Sequence, residues 1–358
     1  MGPLRAALVT PISGPLARFG TAGAAALRLW ATRASGVPAP WTGVELEVID
    51  AYPSAAAAMR TAVTHRPDVV FGPYGSGPAV AALKATQRAV WNHGGATALL
   101  RRPALAHAIN VVAPAAGYFD GVLRAIQTAD QEIARVALLH SITGFGQEVA
   151  SGAAAISREL GLELQAAPYA PGQVAAAADA LRPADALLVV GGFDDELAAA
   201  RRLLGRGWRA AAFVGAGVEE VLAPLWAARE GLLGPAQWLA RVARPPEEGP
   251  DAAWFETAFH QEVGTEPPYP AAAAFAAGVL AARCLREAGR ADDGALLATA
   301  ARLAVRTLFG EFRLDPQTGV QVGHELLVVQ WQAGVRRVVW PPARAERPML
   351  PLRASPGC

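Results

Sequence analysis

The feature that most constrains the fold is a repeated alternation of short apolar runs with longer stretches whose apolar residues have helical spacing. The short runs predict β-strands over residues 6–10, 44–50, 68–72, 135–140, 186–190 and 211–214. The longer stretches predict helices over residues 21–35, 54–65, 78–91, 146–160, 173–181 and 194–204. Strand–helix–strand order with fully apolar strands is typical of parallel sheets covered by helices on both faces.

The length and the pauses in this alternation indicate two lobes. A chain of 358 residues is long for one hydrophobic core, and the pattern stops near residues 110–117 and again near 231–241. Three helices follow (252–263, 270–288 and 292–304), and short strands with turn signals come after 307. We therefore predict an α/β fold of two doubly wound parallel-sheet lobes joined by a multi-strand hinge. The predicted division is 1–115 plus 240–310, 116–239 plus 311–345, and an extended or loosely ordered tail over 346–358.

Composition and charge narrow the class of partner and leave the compartment open. Apolar residues make up 53% and charged residues 18%, which is typical of a folded protein with a buried core. The net charge of +1 argues against electrostatic binding to nucleic acid. The longest uncharged stretch, 270–282, is too short to cross a bilayer. Pro11 and Gly14 interrupt the apolar run that an export signal needs. Two locations remain open: periplasmic or cell-surface with the signal trimmed, or cytoplasmic.

The sequence contains no convincing catalytic, metal or cofactor motif. The six histidines are scattered without metal-ligand spacing, and Ser76 lacks the outer glycines of a nucleophile elbow. The acidic run Asp194-Asp195-Glu196 follows a strand and opens a helix, where we expect it to serve the helix dipole. Gly215-Ala216-Gly217 fails the dinucleotide spacing. We predict a protein that is not an enzyme and has no cofactor and no metal.

Two glycine-rich loops follow predicted strands and are candidates for a binding site. These are residues 72–77 and 94–97, and small residues there let a backbone approach a ligand closely. Ligands of open α/β sheets bind beyond the carboxyl ends of strands, where helix N-termini present free N–H groups. Ser76 and Thr97 supply hydroxyls and Tyr74 supplies a wall. On composition alone, two ordinary strand-to-helix turns explain the loops equally well.

Several segments resemble the type I periplasmic binding proteins, in particular the leucine/isoleucine/valine-binding branch that serves ABC transporters. The segments are 10–20 (TPISGPLARFG), 48–50 (VID), 71–76 (FGPYGS) and 309–315 (FGEFRLD) followed by Thr318-Gly319. The resemblance implies that Ser76 and Thr97 hold a ligand carboxylate, helped by backbone N–H groups around Ser76 and Ala96. Gly75 and Gly95 belong to the same predicted site.

The same resemblance implies roles for further residues. Phe19 matches an aromatic residue that lines the side-chain pocket, and Tyr269 lies in a region that often lines the cleft. Phe145 and Phe193 stand where the second lobe of the family offers tyrosines. Gly217 stands where amino-acid binders place the carboxylate that pairs with the ligand's ammonium, and Glu219 follows two residues later.

The function implied by the resemblance is capture of a small solute between two lobes and its delivery to an ABC transporter permease. The missing carboxylate at Gly217 adds an amine-free carboxylate, an amide or an aromatic acid to the amino-acid-like ligands expected, because a buried ammonium without a partner is costly. The alternative function is a cytoplasmic ligand-sensing regulator of the amide-sensor type on the same scaffold.

Overall fold

The computed structural model describes residues 2–101, 105–218 and 221–352, and the chain divides into two compact units. The first unit contains Met1–Pro114 and Trp238–Glu325, and the second contains Ala115–Gln237 and Leu326–Cys358. Each unit is built around its own sheet, so the prediction of an α/β fold with two parallel-sheet lobes is confirmed. No helix among the described residues is long and apolar enough to span a membrane.

The elements follow in chain order. Residues 2–114 form β1 (Leu4–Thr10), α1 (Ala17–Arg33), β2 (Val44–Asp50), α2 (Ala55–Thr64), β3 (Val69–Phe71), α3 (Ser76–Leu83), β4 (Val90–Asn92) and β5 (Ala108–Asn110). Residues 115–237 form α4 (Asp120–Ala129), β6 (Arg135–Ser141), α5 (Gly144–Glu159), β7 (Glu163–Tyr169), α6 (Val174–Asp179), β8 (Ala186–Val190), α7 (Phe193–Leu203), β9 (Ala210–Phe213) and β10 (Leu233–Ala236). Residues 238–352 form α8 (Ala252–Val263), α9 (Tyr269–Ala288), α10 (Asp293–Ala300), β11 (Ala304–Thr307), β12 (Gly310–Arg313), β13 (Leu327–Gln332) and β14 (Val335–Trp340).

The first unit contains a five-stranded sheet in the order β2-β1-β3-β4-β5, with every pairing parallel. Consecutive parallel strands are joined by crossover connections that pass over a face of the sheet. Helices α1, α2 and α3 form these connections between β1, β2, β3 and β4. Because the strands all run the same way, the loops after β1, β3 and β4 meet at one edge of the sheet. The antiparallel pair β11–β12 forms a separate two-stranded sheet in this unit.

The second unit contains a seven-stranded sheet in the order β14-β13-β10-β9-β8-β6-β7. The neighbouring strands β7, β6, β8, β9 and β10 pair parallel, whereas β10–β13 and β13–β14 pair antiparallel. The core strand β8 (Ala-Leu-Leu-Val-Val) is buried along its whole length, as a strand covered on both faces requires. The loops after β7, β8 and β9 therefore meet at a single edge.

The structure corrects three sequence-based expectations. The helix predicted over 78–91 ends at Leu83, and Val90–Asn92 forms a strand that pairs with β3 and β5. Residues 311–325, assigned from sequence to the second lobe, pack in the first unit because β12 pairs with β11 and the Gln321 amide donates to the Val111 carbonyl. The tail was predicted to be extended or loosely ordered; it is not loose through Leu352, because Leu350 exchanges two hydrogen bonds with Gln330. Residues 353–358 lie outside the described residues.

The core of the first unit contains a buried histidine, His93. His93 is fully buried, and among the described residues neither ring nitrogen has a hydrogen-bond partner. It packs against α1 beside Gly23, where an added Cβ would lie 3.4 Å from His93 Cε1. Burial lowers the pKa of His93 from 6.5 to about 4, because the charged imidazolium would lose its hydration. His93 is therefore part of the packed core of this unit.

We predict that His93 makes the first unit sensitive to acid. Its folded-state pKa is depressed, so the unfolded chain binds the proton first, and stability falls as pH drops from about 6.5 towards 4. His93→Leu should remove this loss, worth up to about 3 kcal/mol. Denaturant unfolding of the wild type and the variant between pH 4 and 7 measures it, with His260→Gln, at an exposed position, as the control. Equal acid sensitivity in wild type and His93→Leu would contradict the prediction.

Candidate functional site

The loop between β3 and α3 is fixed at the carboxyl edge of the first sheet. The Tyr74 N–H donates to Thr10 Oγ1 at the end of β1 (3.5 Å), and the Gly75 N–H donates to the Gly94 carbonyl (3.1 Å). Gly75 has a φ of +95°, in the region that favours glycine. The backbone of this loop is therefore set by its own glycine and by the neighbouring loop.

The loop after β4 is held by the side chain of Asn92. Asn92 Oδ1 accepts from the Gly95 N–H (2.9 Å), while Nδ2 donates to the Gly95 carbonyl (2.7 Å) and to Asn110 Oδ1 (2.8 Å). A Cβ at Gly94 would lie 2.5 Å from Tyr74 Cα, so only glycine allows the two loops to pack backbone to backbone. Sequence analysis missed Asn92, although an amide at the end of a buried strand is a signal for a role of this kind.

The predicted ligand hydroxyls lie in these two adjoining loops. Ser76 Oγ accepts a hydrogen bond from the Ala96 N–H (3.2 Å), which joins the loops directly. Thr97 follows Ala96, is 4% exposed, and its Oγ1 accepts from the Leu99 N–H (3.4 Å). In both contacts the hydroxyl is the acceptor, so each O–H can still donate to a further group.

A small cavity opens beside the second loop. Its volume is about 20 Å³, room for about one water molecule. The polar residues that line it are Thr97, Asn110 and Gln321, and the other lining residues are Gly95, Ala96, Leu100, Val112, Pro114 and Val320. Three predicted site residues, Gly95, Ala96 and Thr97, therefore border one cavity of the first unit.

Aromatic rings surround Tyr74. The ring centroids of Phe19 and Tyr74 lie 5.0 Å apart, and those of Tyr74 and Tyr269 lie 6.3 Å apart. The two phenol oxygens are 3.1 Å apart and share a hydrogen bond. Burial, and then the neighbouring Tyr74, raise the pKa of Tyr269 well above its usual value, so this phenol is neutral at physiological pH. The structure thus brings Phe19, Tyr74 and Tyr269 together next to the Ser76 loop.

In the second unit, Phe145 and Phe193 both lie in the first turn of a helix and are half-buried. The Phe145 ring packs edge-on against Tyr118, with centroids 5.6 Å apart. The Tyr118 hydroxyl accepts from Gln237 Nε2 (3.0 Å). Helices α5 and α7 follow β6 and β8, so both phenylalanines lie at the carboxyl edge of the second sheet.

Gly217 is an enclosed backbone position. It is buried, an added Cβ would overlap the Pro235 carbonyl, and its own carbonyl accepts from Arg336 Nη1 (2.6 Å). No side chain can stand at this position while the Pro235 backbone keeps its path. Glu219, the other acidic candidate, lies outside the described residues.

The acidic run at the start of α7 differs from its predicted role. Asp194 is exposed, but Asp195 and Glu196 are buried and accept hydrogen bonds from other loops. Asp195 accepts from the Gly172 N–H (3.0 Å), and Glu196 accepts from the N–H groups of Gly191 (3.2 Å) and Gly215 (2.6 Å). Burial raises the pKa of Glu196 to about 8 despite these donors. An interaction with the helix dipole alone does not explain why Asp195 and Glu196 are buried and bonded to the backbone of other loops.

Among residues 2–101, 105–218 and 221–352, no three His, Cys, Asp or Glu side chains are placed to hold a metal ion. The site is instead a set of hydroxyl and N–H groups beside aromatic rings.

A sequence model described as periplasmic binding protein matches residues 3–336, nearly the whole chain. The chain belongs to the periplasmic binding protein family.

Solved structures share the fold of this periplasmic binding protein at low sequence identity. A solute-binding protein of an ABC transporter from R. palustris, in complex with benzoate, has a TM-score of 0.77 and 16% identity, covering 94% of this chain and 95% of its own. A leucine-binding protein from Thermotoga maritima has a TM-score of 0.77 and 16% identity, with 94% and 97% covered. A solute-binding protein from Rhodopseudomonas palustris BisB5, in complex with 3,4-dihydroxybenzoic acid, has a TM-score of 0.75 and 19% identity, with 93% and 95% covered.

Among curated proteins, no sequence matches this periplasmic binding protein significantly. The family match identifies a periplasmic binding protein, and the structural relatives show that its fold is shared by solute-binding proteins of ABC transporters. The identities lie far below the level at which ligand preference transfers, so the relatives show the fold alone. The ligand class has to be argued from this chain's own residues.

We predict that Gly217→Ala strongly destabilises the second unit. The new Cβ would overlap the Pro235 carbonyl, which is backbone and cannot rotate away, so we expect a loss of about 1–3 kcal/mol or more in unfolding free energy. Gly205→Ala is the matched control, because an added Cβ there meets nothing within 4 Å. Denaturant unfolding measures both, and equal stability of the two variants would show that β10 yields easily at Pro235.

Proposed function

We propose that this periplasmic binding protein binds a small carboxylate-bearing solute and delivers it to the permease of an ABC transporter in the periplasm. The observation that carries the proposal is the direct contact of Ser76 Oγ with the Ala96 N–H, which gathers the hydroxyls and backbone N–H groups of two loops. The family match supports the transport role, and the chemistry of these loops supports the carboxylate.

The start of α3 is suited to an anion. Pro78 has no N–H and the Ala79 N–H donates to the Gly75 carbonyl (2.9 Å), so the N–H groups of Ser76 and Gly77 are the free donors of the first turn. A helix N-terminus also carries partial positive charge. An added Cβ at Gly77 meets nothing within 4 Å, so a ligand has room to approach this backbone. The Ser76 O–H adds a further donor to the same place.

The rings beside this turn favour a ligand with an apolar or aromatic body. Tyr74 belongs to the same loop as Ser76 and packs against Phe19 and Tyr269. Aromatic rings offer flat surface for offset or edge-on packing. The bond between the two tyrosine hydroxyls holds Tyr74 in place, so this surface is organised without ligand.

The second unit argues against a standard α-amino acid. The position implied for the ammonium-pairing carboxylate is Gly217, where the Pro235 carbonyl occupies the space of a side chain. Asp195 and Glu196 already accept backbone N–H groups inside the unit. An ammonium without a carboxylate partner loses several kcal/mol on burial. We therefore infer an amine-free carboxylate as the ligand.

We predict that Ser76→Ala and Thr97→Val each weaken binding of the carboxylate. Each removes one charge-assisted hydrogen bond, and a loss of about 1.5–3 kcal/mol corresponds to a roughly ten- to hundredfold higher Kd. Isothermal titration of a ligand found by thermal-shift screening measures the change. Thr64→Val, at an exposed position at the end of α2, is the control. Unchanged affinity in both site variants, with folding intact, would refute the proposed site.

We also predict a preference between matched ligands that differ only in the α-ammonium. Pairs such as 3-phenylpropanoate with phenylalanine, and 4-methylpentanoate with leucine, keep the apolar body constant. The amine-free member of a binding pair should raise the melting temperature more, because only the amino acid leaves an ammonium unpaired. A clear preference for the amino acids would show that a carboxylate elsewhere in the chain serves as the ammonium partner.

A further inference from the structure

Three loops of the second unit converge on two consecutive side chains of α7. Glu196 Oε1 accepts from the Gly191 N–H in the loop after β8, and Glu196 Oε2 accepts from the Gly215 N–H in the turn after β9. Asp195 accepts from the Gly172 N–H in the loop after β7 through both carboxyl oxygens (3.0 and 3.2 Å). The first turn of α7 is therefore the common attachment of the loops at this edge.

The Glu196 carboxyl is enclosed and faces few charges. It is 1% exposed, and an added Cβ at Gly215 would lie 2.8 Å from its Oε2. Among the described residues, the ionisable groups that interact electrostatically with it are Asp195 on its own helix and Tyr169 at the end of β7, whose hydroxyl donates to the Val190 carbonyl (3.3 Å). The pairing of Arg202 with Asp179 of α6 lies in the last turn of α7, away from Glu196.

We propose that Glu196 is a positioning residue whose carboxyl ties the loop after β8 to the turn after β9, and whose ionisation changes how firmly the two are joined. We call Glu196, Gly191 and Gly215 the Glu196 clamp. Its consequence for ligand binding rests on the proposed function, because Phe193 and the Gly215–Gly217 turn belong to the segments that it joins.

The strength of the clamp depends on pH because the ionised and the neutral Glu196 carboxyl bind the same N–H groups with different strength. An ionised carboxylate makes charge-assisted hydrogen bonds to both N–H groups, and these are shorter and stronger than bonds to the neutral acid. Ionisation also takes a charge out of water, which raises the pKa to about 8. Near neutral pH the acid form predominates, and alkaline pH strengthens both bonds. The effect of pH on the free energy of unfolding is the opposite of its effect on these two hydrogen bonds. Because the pKa of Glu196 is raised in the folded state, its contribution to stability is largest below about pH 4.5 and is lost as pH rises through about 8.

The sequence offers a selective probe of the clamp. Gly191 and Gly215 both follow valine, and the only other Val-Gly pairs in the chain are Val263-Gly264 and Val322-Gly323. Protein labelled with carbonyl-¹³C valine and ¹⁵N glycine therefore gives amide signals from these four glycines alone. The two signals from Gly264 and Gly323 serve as internal controls.

We expect the Gly191 and Gly215 signals to shift together, with one midpoint near pH 8, and the two control signals not to follow this titration. Glu196→Gln should abolish the shared titration, whereas Asp194→Asn, at an exposed position in the same turn, should preserve it. Separate midpoints, no shift between pH 6 and 9.5, or a titration that survives in Glu196→Gln would overturn the clamp. If Glu196→Gln does not fold, the wild-type titration decides alone.

Benzoate titrations at pH 6.5 and 9 separate this inference from the proposed function. The clamp predicts that the wild-type Kd for benzoate changes with pH and that Glu196→Gln removes the change. Shared glycine titration with no binding of any screened carboxylate would leave the clamp and refute the proposed ligand. Carboxylate binding without a shared glycine titration would refute the clamp and leave the proposed ligand. Glycine titration together with a pH-independent Kd would show that the clamp does not position the ligand-binding edge.

Discussion

The first unit depends on close contact between the loops after β3 and β4. Gly94 lies against Tyr74 Cα, Gly75 donates to Gly94, and Ala96 donates to Ser76. These contacts are possible because β3 and β4 are parallel neighbours, so both loops leave the sheet at the same edge. Asn92 then fixes the second loop from the strand itself. The hydroxyl and N–H groups that we assign to the ligand are ordered by these few bonds.

The two units organise their edges by different chemistry. In the first unit, uncharged amides and hydroxyls hold the loops, which leaves the start of α3 free to receive a negative charge. In the second unit, the carboxyl groups of Asp195 and Glu196 take up the N–H groups of three loops. Among the described residues, free donors therefore remain at the start of α3, whereas the N–H groups of Gly172, Gly191 and Gly215 already donate to carboxyl groups.

Sequence patterns predicted strands and loops better than the contacts that fix them. Val44–Asp50 and Ala186–Val190 were predicted with their observed bounds, because uninterrupted apolar or alternating patterns are unambiguous. Glu163–Tyr169 was missed because this edge strand is largely solvent-accessible and carries Glu, Gln and Pro. The glycine-rich loops were recognisable from composition. The partners of Asn92 and Glu196 could not be predicted, because Asn110 and Gly215 are brought to them only by the order of strands in each sheet.

The enclosure of Gly217 has an evolutionary consequence. A carboxylate at this position would require the Pro235 carbonyl to move, and Pro235 belongs to β10, which pairs with both β9 and β13. A lineage carrying this backbone cannot acquire an acidic side chain there by a single codon change without disturbing the middle of a sheet. Main-chain geometry therefore disfavours an acidic side chain at Gly217, whereas substitution is less constrained at glycines with free space, such as Gly205.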